Sequence, residues 1–536
     1  ELAAALGAAM RTGVNGPVGG DVDQDAKDPE QYAVYFSQAG LGLPDRDYYL
    51  GADPKLADVR KKYVTHVERM LTLVGEKDAA SRARAIMAFE HALAEAHWPR
   101  VDTRDVDKAY NKMAWSALPT VAPGFDWQAW AGGISAHFDT VIVRQPSAIT
   151  KSAAVFARTP IAVLRDYLMW GTISAAAPYL SPELVQEDFA FYGTVLNGTP
   201  EMRPRWKRGV RLVKNALGEE VAKEYVAQYF PPAAKAEADR LVKNLIVAMD
   251  GRLQQLTWMA PETKVRARAK LAAFKPKIGY PDTWRDYSAL HIRRDDLLGN
   301  VFAAREFEFN RSLKKMGHPV DRGEWFMTPM EVNAYANPTM NEVVFPAAIL
   351  QPPFFDPAAD PAVNYGGIGA VIGHEISHHF DDQGRKFDPA GRLAEWWTPA
   401  DVQRFDSLTA RLVAQYDKYE PLPGMHVQGR LTLGENIADV AGLTVAYDAY
   451  HHSLAATPAP TIEGFTGDQR FYLGWAQVWR YNEREESRRQ GLLTDPHSPP
   501  DLRAATVRNV DPWYTAFGVK AGEGLYLAPP ERVRIW

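Results

Sequence analysis

His374-Glu375-Ile376-Ser377-His378 places two imidazoles four residues apart, with a carboxylate beside the first. On a helix, positions i and i+4 lie on one face, so both rings can grip a single metal ion while Glu375 reaches a water on that ion. Zinc takes imidazole nitrogen at about 2.0–2.1 Å and keeps one coordination position open in catalytic sites. Val371, Ile372 and Gly373 before the motif and Phe380 after it give the partly buried helix that such a site needs. The competing reading is a surface helix with two solvated histidines. His379 adjoins the second histidine but points off the ligand face, and reads as structural.

The third ligand decides the kind of centre. A three-histidine site would need His where Gly384 stands and Gly where Asp381 stands. The short spacing of thermolysin-like and aminopeptidase-like sites would put Glu near positions 397–398, which are Trp397 and Thr398, and Glu395 is out of position. Far downstream comes Gly434-Glu435-Asn436-Ile437-Ala438-Asp439. Glu435 and Asp439 again share a helix face. Glu435 would then ligate the metal, and Asp439 would accept a hydrogen bond from the far nitrogen of a ligand histidine, fixing its tautomer. An ordinary acidic first turn of a helix would look the same, and on these residues alone both readings stand. Asp381, one turn beyond His378, is placed for a similar supporting role.

The chain that must position these groups has 536 residues, enough for roughly two to four compact units. Hydrophobic residues make up 46% and charged residues 24%, which excludes a disordered chain, a collagen or a coiled-coil rod. The net charge of −5 gives no basic balance toward nucleic acid or an anionic membrane. With no Cys, disulfides, thiolate metal sites and Cys nucleophiles are excluded. No apolar run is long enough for a transmembrane helix, and there is no signal peptide. The chain begins at Glu1 rather than Met and so reads as trimmed or processed.

From about residue 53 to 270 the pattern is helical. Leu241, Leu245, Met249, Leu253 and Leu256 mark one apolar helix face, read as core packing. Pro231-Pro232 and Gly279-Tyr280-Pro281 break the helices. After about residue 325, Val332, Val343, Val344, Phe345 and Ile349 form short β-like runs around the Asn337-Pro338 turn. Gly366-Gly367-Ile368-Gly369 then leads into the helix carrying the two histidines. The expected division is a helical region over 1–325 and a catalytic region over 326–536.

His374-Glu375-x-x-His378, Asp381-Asp382 and Glu435-Asn436-Ile437-Ala438-Asp439 resemble the neprilysin family of zinc metallopeptidases, which includes the endothelin-converting enzymes and bacterial oligopeptidases. The likeness extends to Asn333-Ala334-Tyr335, to the segment Val344–Phe355, to Asn364–Gly369, to Asp495-Pro496-His497-Ser498-Pro499 with Arg503, and to the final Arg534-Ile535-Trp536. In the first part Gly42–Tyr49, Tyr110–Met113, Leu256–Met259 and Ile278–Asp282 also match, so it covers nearly the whole chain. Two departures stand out. The family has further residues before the point matching Glu1, carrying an anchor or signal in many members. Vertebrate members are rich in disulfides, whereas this chain has no Cys, which favours a bacterial-type member.

The resemblance implies a mainly α fold with a small β component, a two-lobed gluzincin metallopeptidase enclosing a central cavity around a thermolysin-like catalytic core. It implies one catalytic Zn²⁺ on His374, His378 and Glu435, with Glu375 as general base. His497 would donate to the developing oxyanion. Arg503 would hold a substrate carbonyl beyond the scissile bond. Asn333 and Ala334 would bind the peptide as an added strand. Ile349, Phe354, Ala370, Val371, Val478 and Trp479 match the pocket, though each could equally be plain core, and an apolar pocket predicts cleavage on the amino side of bulky hydrophobic residues. Asp439 is sometimes assigned as proton donor. Beside Zn²⁺ a carboxylate stays ionised, so it reads here as the orienter of His374. The expected partners are peptides of limited size, with no nucleic acid; the protein is expected to be a monomer, periplasmic or extracellular, and anchored, if at all, through a missing N-terminal segment. The rivals are a zinc aminopeptidase, whose Gly-x-Met-Glu-Asn segment is not found, and a non-catalytic peptide-binding protein.

Overall fold

The computed structural model describes residues 1–14, 16–455 and 457–536. Its packing divides the chain into two units, neither continuous in sequence. The first comprises 1–217, 286–320 and 483–494, and the second 218–285, 321–482 and 495–536. A single cut near residue 325 does not follow this packing, because 218–285 joins the second unit and 483–494 returns to the first. Helical periodicity shows that a segment buries a face, but not which neighbour covers it.

In the first unit, β1 (Val18–Asp25) and β2 (Asp28–Gln38) pair antiparallel. With β3 (Lys112–Ala114) and β4 (Thr140–Val143) they form a sheet of order β1-β2-β4-β3. Helix α1 (Pro54–Leu73) starts where the Asp53 side chain accepts from Lys55 N and proline takes the first helical position. It packs with α2 (Ala79–Ala96) and α3 (Ile161–Ala176) through Tyr63, Val67, Met70, Ile86, Phe89, Leu93, Leu164 and Trp170.

That apolar core holds one carboxyl group. Glu90, 1% exposed, accepts from Tyr49 Oη at 2.6 Å and Tyr63 Oη at 3.0 Å. Burial pushes its carboxyl up to about 7, against the pull of the two hydroxyls. A carboxyl raised on folding contributes stability below its unfolded value near 4.5, and that contribution is lost as pH rises through about 7. The shift corresponds to about 3 kcal/mol. Wild type should therefore lose more unfolding free energy between pH 4 and pH 8 than Glu90→Gln does. Denaturant titration of both proteins at both pH values checks this, and equal pH slopes would disprove it.

The second unit is also mostly helical. It contains α4 (Pro232–Gln255), α5 (Pro261–Ala272), α6 (Ala370–His378), α7 (Leu433–Ser453) and α8 (Gly467–Val478). Its small sheet, order β5-β7-β6, sets β5 (Lys275–Gly279) parallel and β6 (Tyr335–Asn337) antiparallel to the buried β7 (Glu342–Pro346). Val343, Val344 and Phe345 fall in β7, whereas Val332 lies outside the strands and is exposed. The stripe Leu241, Leu245, Met249, Leu253 and Leu256 is buried core.

The helical run Pro361–His378 includes a π-helical turn at Tyr365–Gly369, just before α6. Such wide turns concentrate at functional sites. Helix α7 is buried on nearly every face of its first four turns, so it has no single polar side. It meets α6 where two glycines face each other. A Cβ on Gly373 would lie 2.7 Å from Gly442 O, and one on Gly442 2.4 Å from His374 N, so no side chain fits at either position. Arg252 pairs with Asp448 of α7 through two bonds, at 2.6 and 3.0 Å, and also donates to Trp536 O at 3.1 Å. The Trp536 ring packs among Trp258, Phe380, Trp397 and Phe405.

Candidate metal centre

Helices α6 and α7 bring His374, His378 and Glu435 together, with one ligand atom from each lying within 4.8 Å of the others. The two Nε2 atoms are 2.9 Å apart, and Glu435 Oε2 lies 3.2 Å from that of His374 and 3.4 Å from that of His378. Four ligands around zinc at its usual bond lengths stand about 3.3 Å from one another, so the spacing matches.

The chemistry of these donors tests the fit further. His374 Nδ1 faces Asp439 Oδ1 at 2.8 Å, and His378 Nδ1 faces Asp381 Oδ2 at 2.8 Å. Each carboxylate needs the proton on Nδ1, which leaves a lone pair on each Nε2. Two facing lone pairs and a carboxylate oxygen repel one another unless a cation lies among them. Consistently, Glu435 Oε2 is buried and has no partner in hydrogen-bond geometry, although three ring nitrogens lie within 3.4 Å. Burial opposes charge at both rings, and at His374 so does His378, but Asp439, Asp381 and Glu435 outweigh this and favour positive charge there, which a cation between the two Nε2 atoms would supply. The donor set therefore fits one zinc ion.

Glu375 is 6% exposed and makes no hydrogen bond or ion pair to another described residue. Asp439 is 1% exposed; burial raises its carboxyl, but Arg503 and His374 outweigh this and bring it down to about 2.

Arg503 stands where the sequence reading expects a group that grips substrate, yet two of its nitrogens are committed to Asp439. Nε donates to Oδ2 at 2.8 Å and Nη2 to Oδ1 at 2.7 Å. The guanidinium lies 3.9 Å from the ring centroid of Trp479, which packs edge-on to Trp475. His497, in the loop after residue 494, is half exposed. Its Nδ1 lies 2.7 Å from Asp495 Oδ1, and its Nε2 3.2 Å from Glu435 Oε2.

Asn333 is exposed and Ala334 buried, immediately before β6, the edge strand of the small sheet. Among the expected pocket residues, Phe354 and Val478 flank Gly367 above α6, Val371 and Ala370 are buried on its first turn, and Ile349 is buried in the turn after β7.

Three supporting contacts are not evident from the sequence. Asp495 aims His497, and an Asp two residues before a His in a turn is the signal for it. Ser498 Oγ donates to Asn436 Oδ1 at 2.7 Å, tying the His497 loop to the residue beside Glu435. No spacing announces that pair. Lys270 is fully buried in α5 next to the segment that follows α6. Its signal was a lysine on the stripe of Thr263, Ala267 and Leu271.

Two models of peptidase family M13 match the chain, one over residues 1–281 and the other over 333–533. Human endothelin-converting enzyme 1 is 32% identical over 96% of the chain and 69% of its own length. The endothelin-converting enzyme homolog of Locusta migratoria is 31% identical over 96% and 74%. Among solved structures, the Mycobacterium tuberculosis zinc metalloprotease Zmp1 with inhibitor superposes with a TM-score of 0.97 at 49% identity, over all of this chain and 82% of that one. PepO from Lactobacillus rhamnosis gives 0.90 at 30% identity, over all of this chain and 84% of that one.

Proposed function

The chain belongs to peptidase family M13 and is a zinc metalloendopeptidase, and from that premise we propose which residues do the work and which bonds are cut. His374, His378 and Glu435 hold one zinc ion. Asp439 and Asp381 keep the protons on Nδ1, which would leave both Nε2 lone pairs to hold the ion. Bound there, zinc supplies Lewis acidity toward a peptide carbonyl and toward water.

Glu375 takes the proton of the attacking water on its carboxylate and returns it to the leaving nitrogen. The observation that carries this reading is that it has no hydrogen-bond or ion-pair partner among the described residues, beside a fully engaged ligand set. His497, aimed by Asp495, donates from Nε2 to the oxyanion, which requires the doubly protonated ring. Arg503 first fixes Asp439 and offers Nη1, which has no partner among the described residues, to a substrate carbonyl.

The unpaired edge of β6 supports binding of an extended peptide at Asn333 and Ala334. Phe354, Val371 and Val478 around the head of α6 support a pocket for a large apolar side chain on the carboxyl side of the cut. No helix among the described residues is long and apolar enough to cross a membrane. Family resemblance supports a monomer that acts in the periplasm or outside the cell.

Cleavage of a mixed peptide library, read by mass spectrometry with and without a zinc chelator, tests the reading. Chelator-sensitive internal cuts before Phe, Leu or Ile are expected. Cuts without that preference would overturn the pocket, and stepwise loss of N-terminal residues would overturn internal cleavage.

A further inference from the structure

Lys270 is a fully buried cation of the second unit that the proposed chemistry does not use. Its side chain is 0% exposed. Nζ donates to three backbone carbonyls, His379 O at 2.6 Å, Gly384 O at 2.8 Å and Phe387 O at 2.8 Å. The ammonium also lies 5.4 Å from the ring centroid of Phe380 and 5.9 Å from that of Trp396. An ammonium has three protons, and here there are three acceptors. Burial lowers the group to about 7, with Asp381 and Asp388 pulling the other way.

All three carbonyls belong to the loop that leaves α6, and that loop carries Asp381. One oxygen of Asp381 accepts from His378 Nδ1 at 2.8 Å. The other accepts from Gln383 N at 2.8 Å and Gly384 N at 2.7 Å. Gly384 therefore gives its N–H to Asp381 and its carbonyl to Lys270. His379, at the start of the loop, is buried with Nε2 3.1 Å from Glu342 O and its ring 4.3 Å from that of Phe274. Within the loop, Arg385 N also donates to Asp381 O at 3.1 Å and Phe387 N to Gly384 O at 3.1 Å, but Lys270 is the group that ties His379, Gly384 and Phe387 to one point outside it.

We infer that Lys270 is a positioning residue of the metal centre: by gathering three carbonyls of the 379–387 loop it fixes Asp381, and through Asp381 the orientation and Nδ1 proton of His378. A lysine that merely fills the core would affect folding but not metal affinity. One that acts through Asp381 affects both. The inference rests on His378 being a zinc ligand.

Zinc affinity is measured by competition with a chromophoric chelator on wild type, Lys270→Met, Asp381→Asn and the double variant, alongside thermal unfolding of the metal-free proteins and the visible spectrum of the cobalt-substituted ones. Each single change should weaken zinc binding about 10- to 100-fold. The double variant should be no weaker than the worse single, because both changes act on one carboxylate, and the cobalt bands should shift alike. Lys270→Gln, which retains two donors, should fall between wild type and Lys270→Met, and stands in for it if Lys270→Met does not fold. Lowered unfolding temperature with wild-type zinc affinity would overturn the inference, as would losses that multiply in the double variant. Failure of wild type itself to bind zinc would instead overturn the ligand assignment.

Discussion

Glu375→Gln keeps its zinc and loses turnover by at least about 10³-fold, within the range expected when a positioned acid–base group is removed. The amide has the shape of the carboxylate, and Glu375 makes no hydrogen bond or ion pair that the change would break. It is also not among the three converging ligand atoms. Folding and metal content should therefore stay put while the group that carries the proton disappears. Metal analysis of the purified variant, together with kcat on a single fluorogenic peptide, checks both halves. Retained turnover would remove Glu375 from the proton-transfer role. Loss of zinc along with turnover would mean that its carboxylate helps to hold the ion.

Glu435→Ala gives the opposite pattern, in which the centre no longer retains zinc. Among the described residues, the side chain supplies the sole carboxylate in ion-pair reach of both Nε2 atoms. Removing it leaves two imidazoles and an opening in α7. Zinc affinity should fall by more than the roughly 100-fold that loss of an outer partner costs. Burial opposes charge on Glu435, but His378, His374 and His497 outweigh it and hold the carboxyl well below its usual range, so it is ready to ligate at neutral pH. Equilibrium dialysis against buffered zinc measures the change, and normal zinc content would exclude Glu435 as the third ligand.

What the sequence made legible follows from periodicity and from chemistry that is local in the chain. His374 and His378 lie one helical turn apart with Glu375 beside the first, so the histidines' shared face could be read from spacing alone. Asp381 and Asp439 could be placed for the same reason, each one turn from a ligand. The stripe of α4 declared itself as core because its leucines recur with the helical period. Contacts between distant segments were not legible. Arg503 turns to Asp439 across the fold, and its charge alone does not say whether it meets substrate or a neighbour. Ser498 and Asn436 meet for the same kind of reason. The helices of 218–285 look like those before them, yet they pack with the metal centre, because an apolar stripe does not name its partner. Lys270 shows the remaining gap. A lysine on a buried face reads as a misfit until the three carbonyls that receive it are in view.

The contact between Gly373 and Gly442 has a consequence for how this centre can be lost. Ligands on separate helices are spaced by the backbones that carry them, and metal–ligand distances tolerate only about 0.2 Å. Here that spacing depends on two residues with no side chain to offer a ligand. One added methyl group at either would push the helices apart and move Glu435 away from both histidines. A homologue could thus keep His374, Glu375, His378 and Glu435 unchanged and still be an inert protein. An inventory of ligands would count it as active, and only the glycines would show that it is not.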